Sequence, residues 1–214
     1  MELNKYIDHT LLKATAQPND IKKLCKEAIS YNFYAVCVNG SYVALAKKEL
    51  ENTSIKVAAV IGFPLGAMST AAKVFETKKC IEDGAEEIDM VINIGKFQSG
   101  DYHDVENEIS IIKKEVGDLL LKVIIETCYL SEEEKKTACT LAMNAGADFV
   151  KTSTGFGTGG ATLEDVQLMK SVIGERMKIK ASGGIKDTKT AKEYIALGIS
   201  RIGTSSGIEI VTSK

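Results

Sequence analysis

Short runs rich in Val and Ile recur along the chain, each separated from the next by a stretch of helical periodicity. This alternation limits the fold more than any other feature. The runs are "YAVCVN" (34–39), "VAAVIGF" (57–63), "EIDMVIN" (87–93), "KVIIET" (122–127), "DFVKTS" (148–153), "KIKAS" (178–182) and "RIGTSS" (201–206). β-Branched enrichment favours strands, and near-continuous apolarity marks strands whose faces are covered. Between them, "PNDIKKLCKEAI" sets Ile21, Leu24, Cys25, Ala28 and Ile29 on one helical stripe, and "YHDVENEISIIKKEV" does the same with Val105, Ile109, Ile112 and Val116. "SEEEKKTACTLAMNAG" opens on a capping box of Ser131 and Glu134 and closes at Gly146, a left-handed helix stop.

A weak internal repeat supports the pattern. "EDGAEEIDMV", "NAGADFVKTS" and "ALGISRIGTS" each run from a helix end through a glycine (Gly84, Gly146, Gly198) into a strand. Spacings of about 20–35 residues suit right-handed βαβ crossovers. With "YIDHTL" as an eighth strand, the expected fold is α/β, a single (β/α)8 TIM barrel spanning 1–214. A doubly wound open sheet is the alternative. The chain is short for a barrel, for which roughly 250 residues is typical. The "GIEIVTSK" that follows the last strand leaves no room for a full final helix.

Composition removes several function classes. A net charge of −2 gives no argument for nucleic acid or an anionic membrane, and no apolar stretch is long enough to span a bilayer. "MELNKYIDHTLLKATAQ" has no basic segment followed by an apolar run, so no secretion signal is expected. Five scattered cysteines without a C-x-x-C pair fit buried thiols in a reducing cytosol. Cys37 and Cys128 lie on or near strands and read as packed small hydrophobes. His9 and His103 are the only histidines, which argues against a metal site. Both read as ordinary polar residues, with His9 beside Asp8 a lesser candidate for substrate contact.

"FVKTSTGFGTGG" (149–160) carries the most specific local signal. Gly155, Gly157 and Gly160 satisfy G-x-G-x-x-G, but a dinucleotide site also needs an acid about 20 residues on, and there the chain has Lys178 and Lys180. The glycines fit a smaller anion better. The lysine before them is the stronger clue. Strand parity turns Asp89, Val91 and Asn93 inward, with Ile88, Met90 and Ile92 outward; Phe149, Lys151 and Lys180 also point inward.

A lone buried lysine is explained by a salt bridge or by a stem that reaches the rim. Two lysines sharing one aspartate form an unbalanced set. At ~6 Å and an effective dielectric of ~20, two ammonium groups repel by about 2.8 kcal/mol, roughly two pKa units. A lysine neutralised in this way becomes an amine nucleophile that forms imines with carbonyls, and Asp89 is placed to move protons. The small-residue loops "ASGGI" (181–185) and "GTSSG" (203–207), with Lys186 at the rim, then suggest a phosphate site after the last two strands.

"YIDHTLLK", "VCVNGSYV", "VIGFPLG", "EIDMVINIG", "VKTSTGF", "KASGGI" and "RIGTSSG" follow one another from Tyr6 to Gly207. In that order they resemble the deoxyribose-phosphate aldolase family, class I aldolases of the (β/α)8 fold. The resemblance implies reversible cleavage of 2-deoxyribose 5-phosphate to acetaldehyde and glyceraldehyde 3-phosphate through a lysine Schiff base, without metal or cofactor. It implies Lys151 as the imine-forming lysine, Lys180 as the group that lowers its pKa, and Asp89 as proton donor and acceptor. Asp8 would contact a substrate hydroxyl, and Gly155, Gly183, Gly184, Gly203, Ser205 and Ser206 would hold the phosphate.

Some relatives carry a lysine directly after "KTSTG", where this chain has Phe156, and some carry an aromatic residue at the end of a longer tail, where this sequence runs to Lys214. The partners expected are a sugar phosphate and an aldehyde, in the cytoplasm, and a homo-oligomer stays open. The rival readings are another imine-forming sugar-phosphate aldolase, a metal-dependent aldolase, a phosphosugar isomerase using Asp89 and Lys180, and a sugar-phosphate binding protein.

Overall fold

Eight parallel strands close into a barrel in strict chain order in the computed structural model, which describes residues 2–213. Lys214, the last residue of the non-aromatic tail, lies outside the described residues. The strands are β1 Ile7–Leu11, β2 Ala35–Asn39, β3 Lys56–Ile61, β4 Glu87–Val91, β5 Leu120–Ile124, β6 Phe149–Lys151, β7 Lys178–Ser182 and β8 Arg201–Thr204. β1 pairs with both β2 and β8, which removes any open edge and excludes the doubly wound sheet.

The connecting helices are α1 Pro18–Tyr31, α2 Val43–Glu49, α3 Thr70–Glu82, α4 Ile94–Gln98, α5 Tyr102–Val116, α6 Glu132–Asn144, α7 Leu163–Ile173, α8 Thr188–Ala196 and α9 Gly207–Thr212. Side chains stop the orphan N–H groups at several starts. Ser69 caps α3, Thr162 caps α7 and Asp187 caps α8, while Ser131 and Glu134 form the expected capping box on α6. Gly84, Gly146 and Gly198 all take positive φ just past α3, α6 and α8, as the repeat implied. After β8, among the described residues, only the six of α9 are helical.

The main core lies between the barrel and its helices. Outward strand residues such as Val36, Val57, Ile88, Met90, Val123, Val150, Ile179 and Ile202 meet Ile21, Leu24 and Cys25 of α1, Val105, Ile109 and Ile112 of α5, and their equivalents. Ile29 departs from the expected stripe and is 45% exposed. Eight residues beyond Ile21, it has rotated about 80° around a helix of 3.6 residues per turn and leaves the buried face.

Inside the barrel the packing is divided. Leu12, Cys37, Ala58 and Val60 form a small apolar cluster with Phe63 against it. The buried charged side chains of the interior come from β1 and from β4 to β8.

Candidate active site

The inward positions of β4 to β7 bring their ionisable ends together. Asp89 Oδ2 accepts hydrogen bonds from Lys151 Nζ and from Lys180 Nζ, both at 2.8 Å, and its Oδ1 accepts one from Lys122 Nζ at 2.7 Å. Lys180 Nζ also donates to Asp8 Oδ2 at 2.5 Å. Below this group, Lys122 lies 2.6 Å from Glu87 Oε2, and Arg201 stands 3.5 Å from Asp8 and 3.7 Å from Glu87. The Arg201 guanidinium lies over the Tyr34 ring at 3.3 Å, so cation–π contact covers its face.

This arrangement changes the charge balance read from three residues. The two ammonium groups do not face each other bare, because Asp89 Oδ2 sits between them. Asp8 and Glu87 add carboxylates, and Lys122 and Arg201 add cations. Burial alone would push the Asp89 carboxyl up, but Lys122, Lys151 and Lys180 outweigh it and hold it well below the usual carboxylate range. Burial pulls Lys180 down, yet Asp8 and Asp89 prevail and raise it well above an ordinary lysine. Lys122 follows the same logic, with burial opposed by Asp89 and Glu87, and is also raised. Lys180 and Lys122 therefore keep their protons.

Asp89 and Lys180 are fully buried. Lys151 instead lines a cavity of about 280 Å³ at the C-terminal mouth of the barrel. That is the small end of the range for ligand sites, roughly 300–1,000 Å³. Gly155, Gly183, Gly184, Lys186, Gly203 and Ser205 line the same cavity, so loops after β6, β7 and β8 converge on it. Ser206 is not among the lining residues; its N–H donates to Thr204 Oγ1 at 2.9 Å.

Asp8 is fully buried and is not among the lining residues; it pairs with Gly203 of β8 and its Oδ2 accepts from Lys180 Nζ. A Cβ at Gly203 would lie 3.0 Å from Lys180 Cε, so the glycine leaves the passage Lys180 uses.

The glycine-rich loop has a packing explanation. A Cβ at Gly160 would fall 2.3 Å from the Gly183 carbonyl oxygen, and Ala161 N–H donates to Ser182 O and Gly183 O. The loop lies directly on the one after β7, which accounts for Gly160 without a nucleotide. Phe156 is half exposed at the rim and meets Phe63 edge-on, with ring centroids 5.3 Å apart.

The remaining candidates lie elsewhere. His9 faces outward on β1, buried, with Nε2 2.9 Å from Glu27 Oε2, and His103 is exposed on α5. Cys37 is buried in the inner cluster, and burial pushes its thiol up. Cys128 is half-buried beside Gly157. Lys122, Glu87 and Arg201 were not singled out from the sequence. For Glu87 the signal was present, since it shares the face of Asp89 at i−2; Lys122 comes in only as the register partner of Asp89 on β5.

A lysine amine opening into a small cavity, backed by a fixed carboxylate and a second, protonated lysine, can form an imine with a carbonyl and move protons around it. Among the described residues no group of three or more His, Cys, Asp or Glu is arranged to hold a metal ion, and no helix is long and apolar enough to cross a membrane.

Comparison with known proteins agrees with this chemistry. The model of the DeoC/LacD family aldolases matches residues 3–212. A deoxyribose-phosphate aldolase of Finegoldia magna is 60% identical over 211 residues, covering 99% of each chain. One of Thermococcus gammatolerans is 59% identical over 99% of this chain and 96% of its own. Among solved structures, the aldolase QR15 superposes with a TM-score of 0.95 at 45% identity, over 99% of this chain and 95% of that one. The tetrameric deoxyribose phosphate aldolase of Aeropyrum pernix gives 0.89 at 32% identity, over 99% and 90%.

Proposed function

The chain belongs to the DeoC/LacD family of aldolases, and from that premise we propose that Lys151 is its Schiff-base lysine, with Asp89 and Lys180 managing the protons. The reaction is the reversible cleavage of 2-deoxy-D-ribose 5-phosphate to acetaldehyde and D-glyceraldehyde 3-phosphate. The observation that carries the lysine assignment is exposure to the cavity. Lys151 lines it, while Lys180 and Lys122 are fully enclosed.

The steps follow from the chemistry of an imine. The free amine of Lys151 adds to C1 of the open-chain sugar, and water leaves to give a protonated imine. A base removes the C3 hydroxyl proton, and the C2–C3 bonding pair moves toward the imine nitrogen. Glyceraldehyde 3-phosphate departs, leaving an enamine on Lys151. A proton added at C2 restores the imine, and water hydrolyses it to acetaldehyde and the free amine.

Asp89, bonded to Lys151 and Lys180 alike, relays these protons directly or through water. Lys180, which keeps its own proton, holds a positive charge beside the reacting nitrogen. The phosphate is held by backbone N–H groups of Gly155, Gly183, Gly184 and Gly203, the Ser205 hydroxyl and the Lys186 ammonium, all on the cavity wall.

The whole of 1–214 serves as one catalytic barrel domain that needs no metal or organic cofactor. Five free cysteines suit a reducing cytoplasm. A homo-oligomer is the assembly proposed, by analogy with the tetrameric relative.

The test is borohydride reduction in the presence of acetaldehyde, followed by peptide mass mapping. A reduced two-carbon adduct on Lys151 supports the assignment, and an adduct on Lys180 reverses the two lysines. No adduct, with deoxyribose 5-phosphate left intact, sinks the reading.

A further inference from the structure

We propose that Glu126, which does not line the cavity, is a positioning residue. It fixes the loop that forms the phosphate-side wall and thereby sets the preference for a phosphorylated substrate. The proposal rests on the reading of the site given above.

Glu126 lies two residues beyond β5 and is 2% exposed. Its backbone sits at φ 53°, ψ 68°, in the left-handed region that non-glycine residues seldom occupy. Among the described residues no lysine, arginine or histidine lies within ion-pair distance of its carboxylate. A buried, unpaired carboxylate on a strained backbone persists only where its surroundings hold it in place, and such sites cluster next to function.

What surrounds it is the segment that follows Lys151. Glu126 Oε1 accepts the Thr154 N–H at 3.1 Å, and Oε2 accepts the Thr154 hydroxyl. Thr154 Oγ1 in turn accepts the Phe156 N–H at 3.0 Å. A Cβ at Gly157 would lie 2.8 Å from Cys128 Sγ and 3.2 Å from Glu126 Cδ, so the far end of the turn also passes close to this side chain. Thr154, Gly155 and Phe156 are cavity wall. The nucleophile is anchored by other groups: the Lys151 carbonyl accepts the backbone N–H of Ile125 at 3.1 Å, and its Nζ donates to Asp89. Disturbing Glu126 therefore moves the wall and leaves the amine in place.

The choice of carboxylate over amide has a reason in this relay. A carboxylate only accepts, so the Thr154 hydroxyl must donate to it and keeps its lone pairs for Phe156. A glutamine at 126 would accept the Thr154 N–H with its oxygen and turn an N–H toward Oγ1. The hydroxyl proton would then lose its acceptor, and the relay to Phe156 would loosen.

The experiment compares Glu126→Gln, Thr154→Val and Thr154→Ser with the unaltered chain on 2-deoxyribose 5-phosphate and on unphosphorylated 2-deoxyribose. Glu126→Gln is expected to lower kcat/KM for the phosphorylated sugar roughly fivefold, the difference between a charge-assisted and a neutral hydrogen bond. The loss should fall on KM and leave the unphosphorylated sugar nearly unaffected. Thr154→Val is expected to do the same, and Thr154→Ser to restore the preference. Acetaldehyde trapping on Lys151 stays at its original level throughout.

An unchanged ratio between the two sugars, or an equal loss on both, overturns the role of Glu126. If Glu126→Gln does not fold, the two Thr154 variants decide the matter alone. An unaltered chain that forms no acetaldehyde adduct instead overturns the lysine assignment beneath it.

Discussion

Lys73 and Glu108 form a buried ion pair outside the cavity lining, and removing one partner is expected to be far more damaging than removing both. Lys73 Nζ on α3 lies 2.5 Å from Glu108 Oε1 on α5 and donates to the Val91 carbonyl at the end of β4. The side chains are 0% and 6% exposed. At this distance and an effective dielectric of ~20 their attraction is about 6–7 kcal/mol. Desolvation of two ions, several kcal/mol each, offsets most of it. Burial is also the largest influence on Lys73, lowering its pKa in spite of Glu108.

The intact pair thus contributes little net stability, but Lys73→Met would strand Glu108 with only the Thr70 hydroxyl as donor. The expected loss is about 3–5 kcal/mol, or on the order of 10 °C in Tm for a chain of this size. The double variant Lys73→Met/Glu108→Leu should recover most of that loss. Urea titrations and thermal melts of the two single variants and the double would measure the coupling. A double variant as unstable as Lys73→Met would refute the argument, because the cost would then lie in the lost Val91 bond or in lost packing of the Lys73 stem.

Asp89→Asn tests the electrostatics of the site through pH. The folded pKa of Asp89 is depressed, so its stabilising contribution is complete above its unfolded pKa of about 3.9 and is lost as pH falls through the lower folded value. Urea midpoints of the variant should therefore fall less steeply below about pH 4 than those of the unaltered chain, and parallel acid limbs would show that Asp89 is not held by the lysines. Phe156→Lys places an ammonium at the rim and is expected to lower KM for deoxyribose 5-phosphate about two- to fivefold at low salt, with the gain fading as salt rises. A gain of equal size for the unphosphorylated sugar would rule out a phosphate contact.

Much of the barrel was legible because strand and helix periods differ and glycine stops are local. Gly84, Gly146 and Gly198 marked the same turn three times, and period-two parity placed Asp89, Lys151 and Lys180 inside. The limits were set by long-range pairing. "KVIIET" was read as a strand through Thr127, but the chain leaves β5 at Ile124 and turns left-handed at Glu126. No local propensity announces that turn, since Glu126 is stabilised by Thr154, a residue 28 positions on.

The charge balance failed for the same reason. Lys122 and Arg201 carry no motif of their own and acquire their roles only by register, opposite Asp89 and beside Asp8. The sequence likewise gives no sign that Asp8 meets Lys180, because that contact forms only where β1 pairs with β8.

The bond between Asp8 and Lys180 joins residues 172 positions apart, across the seam where β1 meets β8. Until the last strand is laid against the first, Lys180 has no Asp8 to bond to. A reactive amine exposed during synthesis would condense with the aldehydes and ketones of the cell. Here the amine, its carboxylate and its neighbouring ammonium are drawn from β4, β6 and β7 and tied to β1 only at closure. On the lysine assignment proposed above, ring closure completes the site, because Lys180 meets Asp8 only where β1 pairs with β8.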